Sequence, residues 1–577
     1  MPNKHLPLVP RCGACADEIL KYEVVVALLG NDDSTACAER SRPFPFPKHG
    51  YPTELVDGRW PCRRSVCDDC AIAPEAVALH YDCFRIFEVW SRQSSSLEGQ
   101  EALDRLWTLA SARNPWPRAR LLHLDETTVD VAALPRMAGV VGLPQLCQVP
   151  REILVMIQRL CPHELLWRSL SVIAFASQVP MRLPRSTVPL RQVLPWSRGE
   201  PLTASASDSE MLPYITIVMD RRGIREIYRR KERPPYTGQT STSLAFIVVH
   251  MGDCASMSIG ARDGLARLQS SGRLLTPRIW NTDAPPISCR SLDPSSWSLA
   301  GPGVCQLFAF DIHSARGITF FFTAGELYGV HVHCSPSSSA AVQYERLREV
   351  KRQAVWIYMP IGLGDRATVL ACRRTNRGFN MLVRMERAGE IILGQLGRRV
   401  HRDCLLAYGP RLTFVYGEPL EMQRVPLIGA YSSACGKVAL PPYFAAPHLE
   451  PDTDEIYFSW APLDAIESIR VFRDELGLCR GMILRYENGG LRAVGQCRLH
   501  LDESVLAIKP SALCYRPTTY TVSKWGWRRP GVLVELAAEA AHAHKSSDWE
   551  CIPLAGGTLI FSFTEDASYV SYRDHWP

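Results

Sequence analysis

The sequence lacks the short motifs that mark the most common classes of enzyme. It contains no G-x4-G-K-S/T phosphate loop, no G-x-G-x-x-G after a predicted strand, no H-E-x-x-H and no G-x-S-x-G. Catalytic triads are recognised by geometry and not by their order in the chain, so an unrecognised enzyme stays an alternative. We predict a protein that is not an enzyme.

Long apolar runs are also missing. The longest runs, such as Val24–Leu29 and Ile318–Ala324, are far shorter than the roughly 20 residues that a membrane helix needs. Met1–Ile19 contains prolines, charges and cysteines where a signal peptide has an apolar core. We therefore expect an intracellular protein, in the cytoplasm or nucleus, without a membrane span. Its cysteines are then free thiols or metal ligands, not disulfides.

A strong excess of charge is absent as well. The net charge of +6 over 577 residues is too small to indicate a nucleic-acid partner. The most basic stretch, Arg221–Arg233, is interrupted by Glu226 and Glu232, and its apolar Ile224 and Ile227 indicate a half-buried strand. We expect protein partners and no binding of nucleic acid.

Cysteine, in contrast, is abundant near the N-terminus. Cys12-Gly-Ala-Cys15 and His80-Tyr-Asp-Cys83 together offer three thiolates and one imidazole, the donor set of a tetrahedral structural zinc site. The polar stretch Asn31–Trp60 then lies between the two halves of the site. We predict a structural zinc bound by Cys12, Cys15, His80 and Cys83, with unliganded thiols as the alternative.

A second group of cysteines follows that polar stretch. Cys62, Cys67 and Cys70 have C-x4-C-x2-C spacing, which allows a second metal site with Cys37 as a candidate fourth ligand. Two weaker histidine patterns occur further on. His331 and His333 share one face of a predicted strand, whereas an Ala-rich helix predicted over 532–544 makes His542 and His544 diverge.

The texture of the chain changes along its length and predicts an α+β multidomain protein. Turn-rich segments of Val, Ile, Phe, Tyr and Thr after residue 212 indicate a predominantly antiparallel β C-terminal half. We expect five regions: residues 1–95 as a small Cys-rich zinc module, 96–179 as a helical segment, 180–211 as a linker, 212–352 as a first β-rich region, and 353–577 as a β-rich region with two copies of a hairpin.

The hairpin copies run from Val355 to Gln395 and from Ile456 to Gln496. Both contain an Arg-Gly pair, a strand, a glycine turn and a second strand that ends at Gly-Gln, and a shorter echo begins at Arg316. Such hairpins cannot bury their own apolar face, so neighbouring copies must pack together. We expect Gly389 and Gly490 to occupy turns with positive φ.

The segment Val149–Trp167 resembles an F-box, the helical motif by which ubiquitin-ligase receptors bind their adaptor. Pro150 at the first helical position, with Ile153, Leu154 and Ile157 following, predicts an amphipathic helix with a sharp start. A plain helical pair packed within the protein is the alternative.

The chain as a whole resembles a family of uncharacterised proteins from filamentous fungi. The resemblance rests on segments spread over most of the chain: EVVVALLG, HYDCF, VPREILVMIQRLCPHELLWR, DRRGIREIYR, GITFFFTAGELYGVHVH and the paired hairpins. It implies the order of the regions but no activity. The hairpin Ile469–Gly495 is also similar to a strand pair of jacalin-type lectins, which implies carbohydrate binding.

These observations favour a non-enzymatic binding or scaffold protein with a structural zinc module. The alternatives are an F-box-like substrate receptor of a ubiquitin ligase, and a lectin-like β-domain binder or an unrecognised enzyme.

Overall fold

Short antiparallel strands are the most frequent elements in the part of the chain that the computed structural model describes. The structure describes residues 5–48, 54–64, 67–117, 122, 124, 134–135, 138, 144–161, 164–178, 183–206, 211–270, 278–286, 290–292, 306–397, 399–419, 423–434, 438–440, 456–521, 526, 528–539, 541–544 and 546–574. The chain divides into two units, Met1–Pro285 and Pro286–Pro577, and both are rich in strands.

The first unit contains fourteen of the strands and five α-helices among its described residues. They are β1 His5–Pro7, β2 Val24–Gly30, β3 Cys37–Arg40, β4 Phe44–Pro45, β5 Trp60–Cys62, α1 Asp68–Ile72, β6 Ala76–His80, α2 Tyr81–Ser95, α3 Gly99–Ser111, α4 Arg151–Leu160, α5 Leu165–Gln178, β7 Ser186–Pro189, β8 Trp196–Ser197, β9 Tyr214–Asp220, β10 Gly223–Arg230, β11 Ala245–His250, β12 Met257–Arg262, β13 Leu265–Ser270 and β14 Ile279–Trp280.

Strand β2 is the centre of the N-terminal part. It pairs with β3, β4 and β6, while β1 and β5 form a separate parallel pair. Its residues Val25–Leu29 are buried because both faces of the strand are covered, which explains the continuous apolar run. Trp107 of α3 and Phe175 of α5 lie in the same apolar core as this strand. The helices after residue 96 therefore complete the core of the Cys-rich segment.

Two further antiparallel sheets complete the first unit. Strands β7, β12 and β13 form one of them, and β8, β10, β9, β11 and β14 lie side by side in the other. Within 180–211, the stretch expected to be a linker, β7 pairs with β12 and β8 pairs with β10. The Pro and Ser content of this stretch is typical of a connector, but β7 and β8 within it are edge strands of two different sheets.

The second unit is almost entirely antiparallel sheet in its described residues. Its elements are β15 Arg290–Leu292, β16 Gln306–Asp311, β17 Gly317–Thr323, β18 Glu326–His333, α6 Ala341–Arg346, β19 Val355–Pro360, β20 Ala367–Thr375, β21 Gly378–Met385, β22 Gly389–Leu393, β23 Val400–Tyr408, β24 Thr413–Gly417, β25 Ile428–Tyr431, β26 Tyr457–Pro462, β27 Ile466–Arg473, β28 Cys479–Tyr486, β29 Leu491–Gly495, β30 Glu503–Ile508, β31 Ala512–Thr521, β32 Arg528–Ala537, β33 Glu550–Pro553, β34 Thr558–Phe563 and β35 Ser568–Arg573. The β-rich character expected of the C-terminal half is confirmed.

The two hairpin stretches occupy sheets with the same strand order. One sheet runs β22-β21-β20-β23 and the other runs β29-β28-β27-β30. Their turns touch, because Asn488 donates a hydrogen bond to the Arg387 carbonyl and Arg492 donates one to the Ala388 carbonyl. Gly389 has the expected positive φ of +75°. The same expectation is wrong for Gly490, since the preceding Gly489 adopts the left-handed conformation, at +82°.

The expected helix over 532–544 is wrong. Residues 528–537 form β32, which pairs along its whole length with β31. Val532 and Val534 are buried while Glu535 is exposed, so burial alternates along the strand. The alanines that follow make this alternation difficult to recognise in the sequence. Pairing and burial therefore outweigh intrinsic helix propensity here.

We predict that Gly325 is indispensable for the fold of the second unit. It closes the β17–β18 turn with a φ of +74°, and a Cβ there would collide with the Arg377 carbonyl oxygen. Gly325→Ala should lower the free energy of unfolding by roughly 3 kcal/mol or more, since conformational strain and steric overlap add. Urea unfolding of the full chain measures this change.

Gly477→Ala is the matched control. Gly477 also has a positive φ, +76°, but no atom lies within 4 Å of the added Cβ. This substitution should cost only about 1 kcal/mol of conformational strain. Equal losses for the two variants would contradict the close contact at Gly325.

Candidate metal centres

The four residues predicted to bind one zinc lie together. The donor atoms of Cys12, Cys15, His80 and Cys83 are all within 4.8 Å of one another, and all four residues are buried. His80 Nδ1 lies 3.5 Å from Cys15 Sγ and 3.7 Å from Cys83 Sγ. Sulfur and nitrogen ligands of a tetrahedral zinc ion are separated by about 3.6 Å, given the usual metal–ligand distances. The arrangement, called site 1 below, can hold one metal ion.

The fold brings the two halves of site 1 together through strand β6. Gly13, between the first two cysteines, donates a backbone hydrogen bond of 2.9 Å to the Ala78 carbonyl of β6. His80 ends β6 and precedes α2, whose first turn carries Cys83. A Cβ at position 13 would collide with the Val77 side chain, so glycine permits this close approach.

An acidic residue lies behind the histidine of site 1. Glu23 Oε2 is 3.3 Å from His80 Nε2, although this pair does not meet hydrogen-bond geometry. The same carboxylate accepts a hydrogen bond of 2.9 Å from Arg168 of α5. A carboxylate behind a histidine orients the ring and increases its basicity towards a metal. Helix α5 therefore contributes indirectly to site 1.

Two arginines fix the backbone of residues 13–16, in and directly after the loop between Cys12 and Cys15. Arg113 donates hydrogen bonds of 2.6 Å and 2.5 Å to the carbonyls of Gly13 and Ala14, and Arg221 donates one of 2.8 Å to Ala16. Burial lowers the pKa of Arg113 to about 10, so the guanidinium remains charged at neutral pH. Three thiolates and one divalent metal ion together carry one net negative charge. The buried guanidinium of Arg113 offsets this charge.

The thiols of site 1 differ in their pKa values. Burial alone raises the pKa of Cys12, but hydrogen bonds from Cys15, Cys83 and His80 outweigh it and lower that pKa well below its usual value. Burial and its hydrogen bond with Cys12 raise the pKa of Cys15 well above its usual value. Hydrogen bonds with Cys12 and Cys15 have the same effect on Cys83. A divalent cation bound at this position would favour the thiolate form of all three cysteines.

The second group of cysteines also forms a compact cluster. Cys62, Cys67 and Cys70 lie with His5, and the four donor atoms are within 4.8 Å of one another. His5 Nδ1 is 3.4 Å from Cys67 Sγ and 3.6 Å from Cys70 Sγ. Its Nε2 faces Asp69 at 3.4 Å, again a carboxylate behind the histidine. We call this cluster site 2.

Cys37, the candidate fourth ligand of the second cysteine group, is not part of site 2. It begins β3, its thiol donates to the Glu39 carbonyl, and burial raises its pKa to about 11. The fourth donor is His5, which reaches the cluster because β1 pairs in parallel with β5 and places His5 beside Trp60. A ligand brought in by strand pairing has no fixed spacing from the other ligands in the sequence. No sequence pattern therefore distinguished His5 from the other histidines.

The His331–His333 pair belongs to a hydrogen-bonded turn. His331 Nε2 lies 2.9 Å from Ser338 Oγ, and His333 Nδ1 lies 2.9 Å from the Ser338 carbonyl. Burial lowers the pKa of His331 to about 4, so this imidazole is neutral at physiological pH. The pair fastens the chain after β18 to the strand.

The structure contains a third cluster that no sequence pattern predicts. Cys514, His542, His544 and Cys551 lie in the second unit with donor atoms within 4.8 Å. A helix there would direct the two histidines apart. Residues 538–539 and 541–544 instead form bends or have no regular secondary structure, and both imidazoles lie within 3.3 Å of the Cys551 sulfur. The two cysteines stand alone in the sequence, so no local spacing identified them.

None of the cysteines in the described part of the chain forms a disulfide. Among the helices that the structure describes, none has the length and apolar character needed to cross a membrane. No protein-family model matches the chain, and no curated protein matches its sequence. The chemistry of the three clusters is therefore the most specific functional information in this protein.

We predict that Glu23→Gln weakens metal binding at site 1 about tenfold, the lower end of the effect of losing a carboxylate behind a metal-bound histidine. The full chain is loaded with Zn²⁺, treated with increasing chelator and then alkylated. Peptide mass spectrometry reports the chelator concentration at which half of the Cys83 thiol is alkylated. This midpoint should fall about tenfold in Glu23→Gln. Glu39→Gln, at a carboxylate paired with Arg59, should leave the midpoint unchanged. An unchanged midpoint in Glu23→Gln would show that this carboxylate does not support the histidine.

Proposed function

We propose that the protein is a non-enzymatic binding or scaffold protein whose N-terminal part folds around structural zinc. The observation that carries this proposal is the complete burial of Cys12, Cys15, His80 and Cys83. Four protein ligands leave no open coordination position for a substrate or water, which is typical of structural and not catalytic zinc. Thiolates with one imidazole favour zinc over the harder magnesium and calcium ions.

Site 2 supports the same function. It offers three thiolates and one imidazole, and it joins β1, β5 and α1, which are too short to be stable alone. The free thiols of both sites fit an intracellular protein in the cytoplasm or nucleus, where cysteines stay reduced.

We infer that the two hairpin stretches of the second unit are copies of one repeat. The identical strand order of their sheets supports this inference. So do Gln395 and Gln496, which end the two stretches and are both buried. Gln496 Oε1 accepts from the Trp356 amide, and its Nε2 donates to the Thr564 carbonyl. A rigid body of such sheets is a suitable scaffold for presenting loops to a partner.

A second candidate function is that of an F-box-like receptor that binds a ubiquitin-ligase adaptor through α4. One observation favours it. Ile153, Met156, Ile157 and Leu160 are 44%, 56%, 38% and 81% exposed, and they follow one another at the three- and four-residue steps of a helix face. Leu154 and Trp167 are buried on the other side. An exposed apolar helix face of this kind is the usual partner of a hydrophobic groove.

The first test of the zinc proposal is the metal content of the full chain. We expect Cys83→Ser to contain one equivalent of zinc less than the unsubstituted protein and to unfold at a lower temperature, because structural zinc supplies folding free energy. Mass spectrometry of the metal and calorimetry measure the two effects. Cys37→Ser, a buried thiol of the same module outside both sites, should keep its zinc. Equal zinc in Cys83→Ser would rule out site 1.

Adaptor binding makes a separate prediction. Ile153→Asp combined with Ile157→Asp should weaken binding of the purified adaptor at least 100-fold, because both charges enter the apolar contact, while the unfolding temperature stays unchanged. Calorimetric titration measures the affinity. Val342→Asp, on the exposed side of α6 at 66% exposure, is the matched control and should bind normally. No binding by the unsubstituted chain, or unfolding of the double variant, would exclude the receptor function.

A further inference from the structure

The third cluster is built on one three-stranded sheet of the second unit. Cys514 of β31 and Cys551 of β33 are direct partners in the antiparallel ladder, so both side chains leave the same face. His542 and His544 lie between β32 and β33 in the chain. His542 Nε2 is 3.0 Å from Cys514 Sγ and 3.2 Å from Cys551 Sγ, and His544 Nε2 is 3.3 Å from Cys551 Sγ.

Both histidines are oriented by a contact on the opposite ring nitrogen. His542 Nδ1 lies 3.1 Å from the Glu539 carbonyl oxygen, and His544 Nδ1 lies 3.3 Å from Glu535 Oε2. These acceptors favour the tautomer that carries its proton on Nδ1. Each Nε2 lone pair is then directed towards the two sulfurs. A ring held in this way by a carbonyl or a carboxylate is characteristic of metal-binding histidines.

Aromatic packing adds a second constraint on His544. The Trp549 ring stacks on the imidazole with centroids 4.7 Å apart and planes 12° apart. The Arg516 guanidinium lies 5.4 Å from the centroid of the same indole. The stack limits rotation of the His544 ring, so Nε2 keeps its direction without a bound ion. A preorganised ring costs less conformational entropy when it binds a ligand.

We propose that Cys514, His542, His544 and Cys551 bind one Zn²⁺ ion that fastens the chain between β32 and β33 to the sheet. Two sulfurs and two nitrogens in a compact set are the ligands of a tetrahedral zinc site. Two thiolates neutralise the charge of Zn²⁺, and the two imidazoles add none. This neutral complex needs no buried counterion, in contrast to site 1 with Arg113.

The zinc at this position exchanges faster than the zinc at site 1. Cys551 is exposed, whereas every ligand of site 1 is buried. A chelator therefore reaches the C-terminal ion without prior unfolding. The inference is independent of the proposed function, because it concerns other residues in the other unit.

Zinc protection of the Cys551 thiol tests the proposal in the full chain. The chain is prepared with Zn²⁺ or with a mild chelator, alkylated briefly, and analysed by peptide mass spectrometry. Because a metal-bound thiolate reacts slowly, we expect alkylation of Cys551 at least ten times slower with Zn²⁺ than with chelator. The exposed Cys334 belongs to none of the three clusters and should react at one rate in both preparations. Equal rates at Cys551 would overturn the proposal.

Substitution of the histidines supplies an independent measurement. His542→Ala should lose one equivalent of zinc and the protection of Cys551, while the Cys83 thiol of site 1 stays protected. His313→Ala, at a histidine outside the clusters whose Nε2 lies near the Pro410 carbonyl, should keep both. Full zinc content in His542→Ala would overturn the site. A Cys83 thiol that reacts at the same rate with Zn²⁺ and with chelator in the unsubstituted chain, while Cys551 is protected, would instead contradict the zinc proposal for site 1 alone.

Discussion

The N-terminal part of this protein depends on placing four polar donors in an apolar core. Cys12, Cys15, His80 and Cys83 lie among buried valines, leucines and phenylalanines of β2, β6 and α2. Charged groups in such surroundings are costly unless they are paired or bound to a metal. The proposed zinc resolves this conflict, since it binds all four donors and leaves one negative charge facing Arg113.

The surrounding elements follow from that constraint. Site 1 joins the loop after β1 to the junction of β6 and α2, which are separated by the whole of β2–β5. Arg113, Arg168 and Arg221 connect the same site to the end of α3, to α5 and to the β9–β10 turn. The candidate metal site thus lies where sequentially distant segments meet. Helix α4, with its exposed apolar face, directly precedes one of these segments, α5, in the chain.

Sequence patterns predicted those features that depend on local spacing. Cys12, Cys15, His80 and Cys83 were recognisable because each half of the site is a pair of ligands with two residues between them. His5 and the C-terminal cluster were not, because strand pairing brings their ligands together from distant positions. The helix expected near His542 failed for a related reason: the ladder with β31 determined the conformation. In the hairpin stretches, glycine predicted a turn in each copy, but the residue with positive φ is Gly389 in the first copy and Gly489, not Gly490, in the second.

Hydrogen–deuterium exchange of the full chain, with Zn²⁺ and with a strong chelator, tests the central claim most directly. Removal of the metal should expose the amides of Val25–Leu29 and Ala76–His80 to rapid exchange, because the core around site 1 opens. The amides of Phe320–Phe322 in the second unit should keep their protection. Unchanged protection of β2 and β6 after complete removal of zinc would contradict the dependence of this core on a metal.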